Sequence, residues 1–327
     1  MRKLFIDKLP ILIVGVVSVF LIVAVFLYIE KWDENQGSFP EQEVTDPTIE
    51  HNGTSYIPKD TIETFLVLGL DKYDEEGQAD SYNNNKQADF LLLFVLDNAA
   101  KQYTAIHINR DTIVDVNVLG VAGNRVDTVR KQIAFAHTYG NGRDVSCRNA
   151  ADSVSSLLMG VKVNHYISMT LDTVTVMNDL VGGVEVVVLD DFTGIDDTLI
   201  KGETVILKGN QPLTYIQTRY GMEDNTNAAR MKRQEQYLEA LLEAFKESID
   251  NDAEFIVDAS MKVSDHIISD RSVTQLQTLG EKFDQYEFLG IQSIEGTSVK
   301  GAELMEFHAD ESALKELVIH LFYKPKA

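Results

Sequence analysis

Cysteine, positive charge and long apolar runs are all scarce in this chain. Cys147 is the single cysteine among 327 residues, which excludes any intrachain disulfide. No pair of His or Cys residues stands at metal-ligand spacing, so Cys147 reads as a small, semi-buried residue on a helix. Cations are few: 29 Lys and Arg face 51 Asp and Glu, giving a formal net charge of −22. A polyanion of this kind is repelled by nucleic acid, and no basic helix offsets the repulsion, which argues against a transcriptional regulator. In so acidic a chain, any cations that handle an anion are easy to single out. There is no internal repeat.

One long apolar run is present. Leu9 to Tyr28 is an uncharged stretch of 20 residues, about the length a helix needs to cross the hydrocarbon core. Arg2, Lys3 and Lys8 precede it and Trp32 follows. The basic flank predicts a cytoplasmic N-terminus at residues 1–8, a transmembrane helix at 9–28, and an extracytoplasmic location for everything beyond. The alternative is a cleaved signal peptide, which the length of the run and the lack of a small-x-small site oppose. Residues 29–60 are polar and acidic with Pro40, Pro47 and Pro58, and read as a linker. Residues 61–327 form the expected folded domain at the cell surface.

That domain opens with apolar runs of strand length at 64–70, 88–97, 103–108 and 113–118. Their short spacing predicts hairpins, hence an antiparallel or mixed sheet. From about Val126 helices alternate with strands. A helix is expected from Asp144 or Ser146, as cap, to a stop at Gly160, and a strand at 164–169. A helix capped by Asp172 then runs to Gly182-Gly183, followed by a strand at 184–189. The longest helix is expected from Thr226 to Ile249, and a last one near 310–322. The class is α/β, a single domain with a central mixed sheet flanked by helices.

Several charged residues sit where chemistry could use them. Asp71 follows one apolar strand and Asp89 opens the next, so adjacent strands would place both carboxylates at one end of the sheet. Two carboxylates without a histidine suit Mg²⁺, a hard cation completed by water and substrate phosphate; taken alone, each is equally a turn or strand-edge residue. Arg110 and Asp111 occupy a chain reversal after a third strand, which an Asp-stabilised turn also explains. On the long helix, with about 100° per residue, Arg230 falls on the face of Gln234, Tyr237, Leu238, Leu241 and Phe245, with Arg233 at its edge. An inward arginine needs a partner. A structural carboxylate and a phosphate both remain open for that role.

The order of these motifs resembles the LytR–CpsA–Psr family of membrane-anchored cell-wall phosphotransferases over roughly residues 60 to 250. Gly69-Leu70-Asp71 is similar to the family's GxD, "QADF" with Asp89 to its RSDT, and "NRDT" with Arg110 and Asp111 to its PRDT. "AHTYGNG" at 136–142, "GGV" at 182–184, "YIQTR" ending in Arg219, and an intact RxxRQ at Arg230, Arg233 and Gln234 follow in the family's order. Departures fall at Gln87, Asn109, Gln132, Gln217 and Asn227, most of them in place of charged groups; Lys86, Arg130, Lys131 and Asp224 stand nearby.

The resemblance implies transfer of a glycopolymer from a polyprenyl-pyrophosphate carrier to a peptidoglycan hydroxyl, next to membrane lipid. It implies Mg²⁺ on Asp71 and Asp89. Arg110, Asp111, Arg219, Arg230 and Arg233 become catalytic, and Arg130, Gln217 and Gln234 substrate-binding. Two rival readings stay open: a polyprenyl-pyrophosphate hydrolase, and a catalytically weakened wall-glycan scaffold.

Overall fold

A computed structural model describes residues 48–71, 84–219, 221–222, 224, 226–252, 255–263, 266–272, 275, 278–279, 282, 285–302 and 304–326. The run expected to cross the membrane lies outside the described residues. Among those described, no helix is long and apolar enough to span a bilayer.

Folded structure begins inside the stretch expected as linker. Strands β1 (Ile49–His51) and β2 (Thr54–Pro58) form a hairpin. Its two-residue turn, Asn52-Gly53, has positive φ at both positions, the combination that matches strand twist and favours Asn-Gly. Then come β3 (Ile62–Leu70), β4 (Ala88–Asp97), β5 (Gln102–His107), β6 (Ile113–Leu119) and β7 (Arg125–Gln132). A 3-10 helix (Ile133–Thr138) leads to α1 (Asp144–Leu157), β8 (His165–Thr170) and α2 (Leu171–Leu180). Strands β9 (Val184–Val187) and β10 (Thr204–Leu207) pair with each other, followed by α3 (Gln211–Gln217), α4 (Asn227–Asn251) and α5 (Phe255–Val263). The remainder holds β11 (Ile267–Ser269), β12 (Glu287–Ser293), β13 (Gly296–Lys300), β14 (Met305–Ala309), α6 (Glu311–Phe322) and β15 (Tyr323–Pro325).

The central sheet is mixed and six-stranded, in the order β11-β8-β3-β4-β5-β12. β3, β4 and β5 are antiparallel neighbours, whereas β3 runs parallel to β8 and β5 parallel to β12. The C-terminal ends of β3, β5, β8 and β12 therefore meet the N-terminal end of β4 at one end of the sheet. β3 and β4 are apolar at consecutive positions because both their faces are covered. Leu66, Leu68, Leu91 and Leu93 pack toward α1 and α6, while Phe65, Val67, Leu92 and Phe94 pack on the opposite side with residues of α2, α4 and α5. A third cluster joins β9, β10, α3, α4 and α5.

Two local expectations are corrected. Helix α1 is capped at Arg143, not by Asp144 or Ser146. The Ser146 hydroxyl is spent on the loop before it, accepting from Gly142 N–H at 2.8 Å and donating to the Tyr139 carbonyl at 2.9 Å. Helix α2 starts one residue before Asp172, with Thr170 as its cap. Residues 125–132, given no element from the sequence, form a strand that pairs antiparallel with β6. Thr226 does cap α4, accepting from Ala229 N–H at 3.4 Å, and Asp310 caps α6 with two bonds of 2.9 Å.

Candidate functional site

The β3–β4 ladder is interrupted where its chemistry lies. Gly69 pairs with Phe90 and Leu70 with Ala88, so Asp89 is an extra residue in a bulge. A bulge re-aims side chains, and both Asp89 and Phe90 line one cavity. Gly69 permits this geometry, since a Cβ there would sit 2.8 Å from the Phe90 Cβ. Asp71 follows β3 at the same sheet end, exposed. The two carboxylates expected to share this end do so.

The turn after β5 separates its two charges. Asn109 accepts the Asp111 N–H on its side chain and the Thr112 N–H on its carbonyl, each at 3.0 Å. Arg110 reaches back to Asp89 and to the Gln87 carboxamide. Asp111 is 4% exposed and takes a different set of partners. It accepts from Arg219 Nη1 at 2.9 Å and Gln132 Nε2 at 3.0 Å, with Arg110 Nε at 3.8 Å. Gln132 also donates to the Met305 carbonyl at 2.6 Å. Phe307 N–H binds the Asp111 carbonyl at 2.9 Å and Thr112 bridges to Phe307. The β13–β14 hairpin thus supports the turn from behind.

Upstream of Gln87, the chain is held by His137 on the 3-10 helix, whose Nδ1 lies 2.9 Å from the Lys86 carbonyl. Burial pushes this imidazole down to about 4, so it is neutral at physiological pH. Cys147, 3.6 Å from its Nε2, is fully buried, and burial pushes its thiol up to about 12. A thiol kept protonated in this way is inert.

Both arginines on α4 are buried, at 6% and 1% exposure for Arg230 and Arg233. Arg233 is fully engaged: Nε donates to the Tyr215 carbonyl at 2.7 Å, and its two terminal nitrogens meet Asp190 and the Thr218 carbonyl. It anchors the segment that carries Arg219 instead of facing a substrate. Nε and Nη2 of Arg230 have no acceptor among the described residues. Burial, then Arg110 and Arg219, push Arg230 down to about 9, against the opposing pull of Asp111. It is still a cation at neutral pH, and an under-neutralised one. The Oε1 of Gln234 and the Oδ1 of Asn227 are likewise buried without a donor.

Arg230 and Gln234 open into a cavity of about 380 Å³ between α2, α4 and the sheet end. Its walls are mainly apolar, with Phe90, Met169, Val174, Met177, Leu238 and Leu241 among them. Asp89, Gln217, Arg230 and Gln234 supply its polar groups. Of the expected residues, Asp71, Asp89, Arg110, Asp111, Arg219, Arg230, Gln217 and Gln234 gather at or beside this sheet end. Arg130 does not join them. It is 66% exposed and pairs with Asp115, its cross-strand neighbour, at 3.4 Å. Sequence reasoning passed over Gln132 as a bonding group, Asn109 and Asn227 (2.7 Å apart), and Asp190. For Gln132 the one available signal was its departure from the family pattern.

Among the described residues no three His, Cys, Asp or Glu side chains form a metal cage. The donors present fit a hard divalent cation all the same. Asp89 keeps 24% of its side chain exposed, Asp71 is open to solvent, and Mg²⁺ is commonly held by one or two carboxylates with water and phosphate completing the shell.

The model of the LytR_cpsA_psr family matches residues 26–320. The chain is 26% identical over 254 residues to the polyisoprenyl-teichoic acid–peptidoglycan teichoic acid transferase TagU of Enterococcus faecalis, covering 76% of this chain and 74% of that one. It is 23% identical to the cell wall biosynthesis protein LcpA of Corynebacterium glutamicum, covering 73% of this chain but 48% of LcpA. Among solved structures, protein gbs0355 of Streptococcus agalactiae superposes with a TM-score of 0.62 at 17% identity, covering 80% of this chain and 86% of that one. TagT bound to LI-WTA gives 0.57 at 18% identity, with 80% and 90% covered. These structures share the mixed α/β fold.

Proposed function

The chain belongs to the LytR–CpsA–Psr family, and on that premise we propose that it is a phosphotransferase that moves a glycopolymer from a polyprenyl-pyrophosphate carrier to peptidoglycan. Arg230 carries the reading. A buried cation whose Nε and Nη2 have no acceptor among the described residues, lining an apolar cavity and beside Arg110 and Arg219, calls for an amphiphile whose anionic head is a phosphate. A prenyl chain suits the apolar walls and a diphosphate suits the guanidinium forks. The relative TagU, whose name describes teichoic acid transfer to peptidoglycan, supports the same substrate class.

In this reading the acceptor hydroxyl attacks the phosphorus bearing the glycan, the P–O–P bond breaks, and polyprenyl phosphate leaves. Arg110, Arg219 and Arg230 stabilise charge on the phosphoryl oxygens, the main demand of phosphoryl transfer. Asp111 has its carboxylate oxygens occupied and orients Arg219 and Arg110 rather than taking a proton. Asp71 and Asp89 would hold Mg²⁺, which supplies neutralising charge to the diphosphate when bound. The apolar run at 9–28 serves as a membrane anchor that keeps the domain where the carrier lipid resides.

The test is a donor labelled in its glycan, given to the membrane-bound protein with peptidoglycan. Label entering peptidoglycan is the expected result. Free glycan phosphate would instead identify a hydrolase, and retained binding without either product a scaffold. Asp89→Ala is expected to lower turnover about 10²- to 10³-fold, the usual scale for losing one electrostatic contact to a transferring phosphoryl group. Full activity in Asp71→Ala/Asp89→Ala, or in excess chelator, would remove the metal from this account.

A further inference from the structure

A second polar pair at this sheet end has no part in the reaction as described. His107, the last residue of β5, is 1% exposed, and its Nδ1 lies 2.7 Å from Oε1 of Glu235 on α4. Glu235 keeps 28% of its side chain open to solvent. The ring of Phe90, in the cavity wall beside Asp89, packs on the imidazole with centroids 4.9 Å apart at 51°. One imidazole therefore touches both walls of the cavity, the sheet end and the arginine helix.

Two turns earlier on α4, Asn227 donates to Asn109 at 2.7 Å. Both ties run from α4 to the same short stretch of chain, residues 107 and 109, and Arg230 and Gln234 lie between them. A single tie fixes a point on a helix but leaves it free to roll about its axis. Two ties two turns apart, with Arg233 held between them by Asp190, Tyr215 and Thr218, fix the roll as well, and roll decides where residues 230 and 234 point. We propose that the His107–Glu235 pair is a positioning device for the phosphate site: it sets the rotation of α4 that aims Arg230 and Gln234 into the cavity opposite Arg110. Glu235 acts through Arg230, without contact to the substrate. This inference rests on reading the cavity as a diphosphate site.

The experiment compares wild type, Glu235→Ala, Glu235→Gln and Glu239→Ala. Glu239 is exposed, one turn further along the same helix, so its removal controls for the loss of a negative charge. Two readouts are taken: calorimetric affinity for inorganic pyrophosphate with Mg²⁺, and the ¹⁵N resonance of the Arg230 Nε, assigned by its loss in Arg230→Lys. Glu235→Ala is expected to weaken pyrophosphate binding about 10- to 100-fold, the scale for misplacing a binding group through its support, and to shift the Arg230 resonance. Glu235→Gln keeps an acceptor for the imidazole and is expected to restore both. Glu239→Ala should match wild type. If Glu235→Ala behaves as Glu239→Ala in both readouts, the positioning role is overturned. If wild type itself takes up no pyrophosphate, the diphosphate reading of the cavity fails, and the resonance alone then decides: an unmoved Arg230 signal in Glu235→Ala overturns the positioning role, and a shifted one upholds it.

Discussion

Arg230 and Arg233 stand one turn apart on the same helix and have opposite surroundings. Arg233 completes a set of acceptors contributed by Asp190, Tyr215 and Thr218. Arg230 is held among other cations with donors to spare. Their substitutions should therefore differ in kind. Arg233→Ala strands the Asp190 carboxylate and two carbonyls, and is expected to cost about 3 kcal/mol of ligand-free stability, the low end for a pair whose carboxylate is partly open to water. Arg230→Met removes a charge that burial and like charges already oppose. It should leave the ligand-free thermal midpoint unchanged or higher, while abolishing the stabilisation that pyrophosphate gives wild type through RT ln(1 + [L]/Kd). Thermal melts with and without pyrophosphate check both, and an equal loss of ligand-free stability in the two variants would contradict the assignment. The helical period was enough to place Arg230 on the inward face. It was not enough to separate the two arginines, because the partner that neutralises Arg233 comes from 43 residues away and leaves no mark on the local pattern.

At the level of elements, the site is a joint between distant pieces of chain. The β13–β14 hairpin, far beyond the recognised motifs, reaches the Asn109–Thr112 turn through the Met305 carbonyl and the Phe307 amide. Gln132 is the rivet, donating to both Met305 and Asp111. Gln132→Leu leaves two buried acceptors short of a donor. The expected cost is about 1–3 kcal/mol, with turnover falling roughly 10- to 100-fold as Arg219 loses its fixed counter-charge. Turnover per folded molecule, measured alongside the melt, separates the two effects, and unchanged turnover would free Asp111 from dependence on the hairpin. Strands β3 and β4 were legible because covering both faces of a sheet demands an unbroken apolar run. Strands β7 and β13 were not: most of β7 and all of β13 are exposed, so no apolar alternation marks them. The bulge at Asp89 was hidden as well, since a shift of register belongs to a pair of strands and is written in neither one alone.

For the molecule as a whole, the proposed anchor puts the domain outside the cell. Cys147 is fully buried, so it gives little background to a thiol reagent. A cysteine introduced at Lys326, adjoining β15, is expected to react with a membrane-impermeant maleimide in intact cells. Reaction only after lysis would reverse the orientation. Total charge reads as unfavourable to polyanionic partners in bulk, and it does not reveal that Arg110, Arg219 and Arg230 are grouped at one end of the sheet.

Strand β15 lies antiparallel to β2, Lys326 N–H reaches the Ser55 carbonyl at 2.8 Å, and Lys59 N–H reaches the Phe322 carbonyl at 2.8 Å. The second strand and β15 are thus hydrogen-bonded neighbours, separated by nearly the whole length of the described domain. Until the C-terminal strand is made, β2 has only β1 beside it, and a lone hairpin is marginal in water. The seam closes only when residues 323–326 arrive. On the proposed topology, maturation of this domain would be a post-translocational event, and a nascent chain stalled short of β15 would present an unclosed edge.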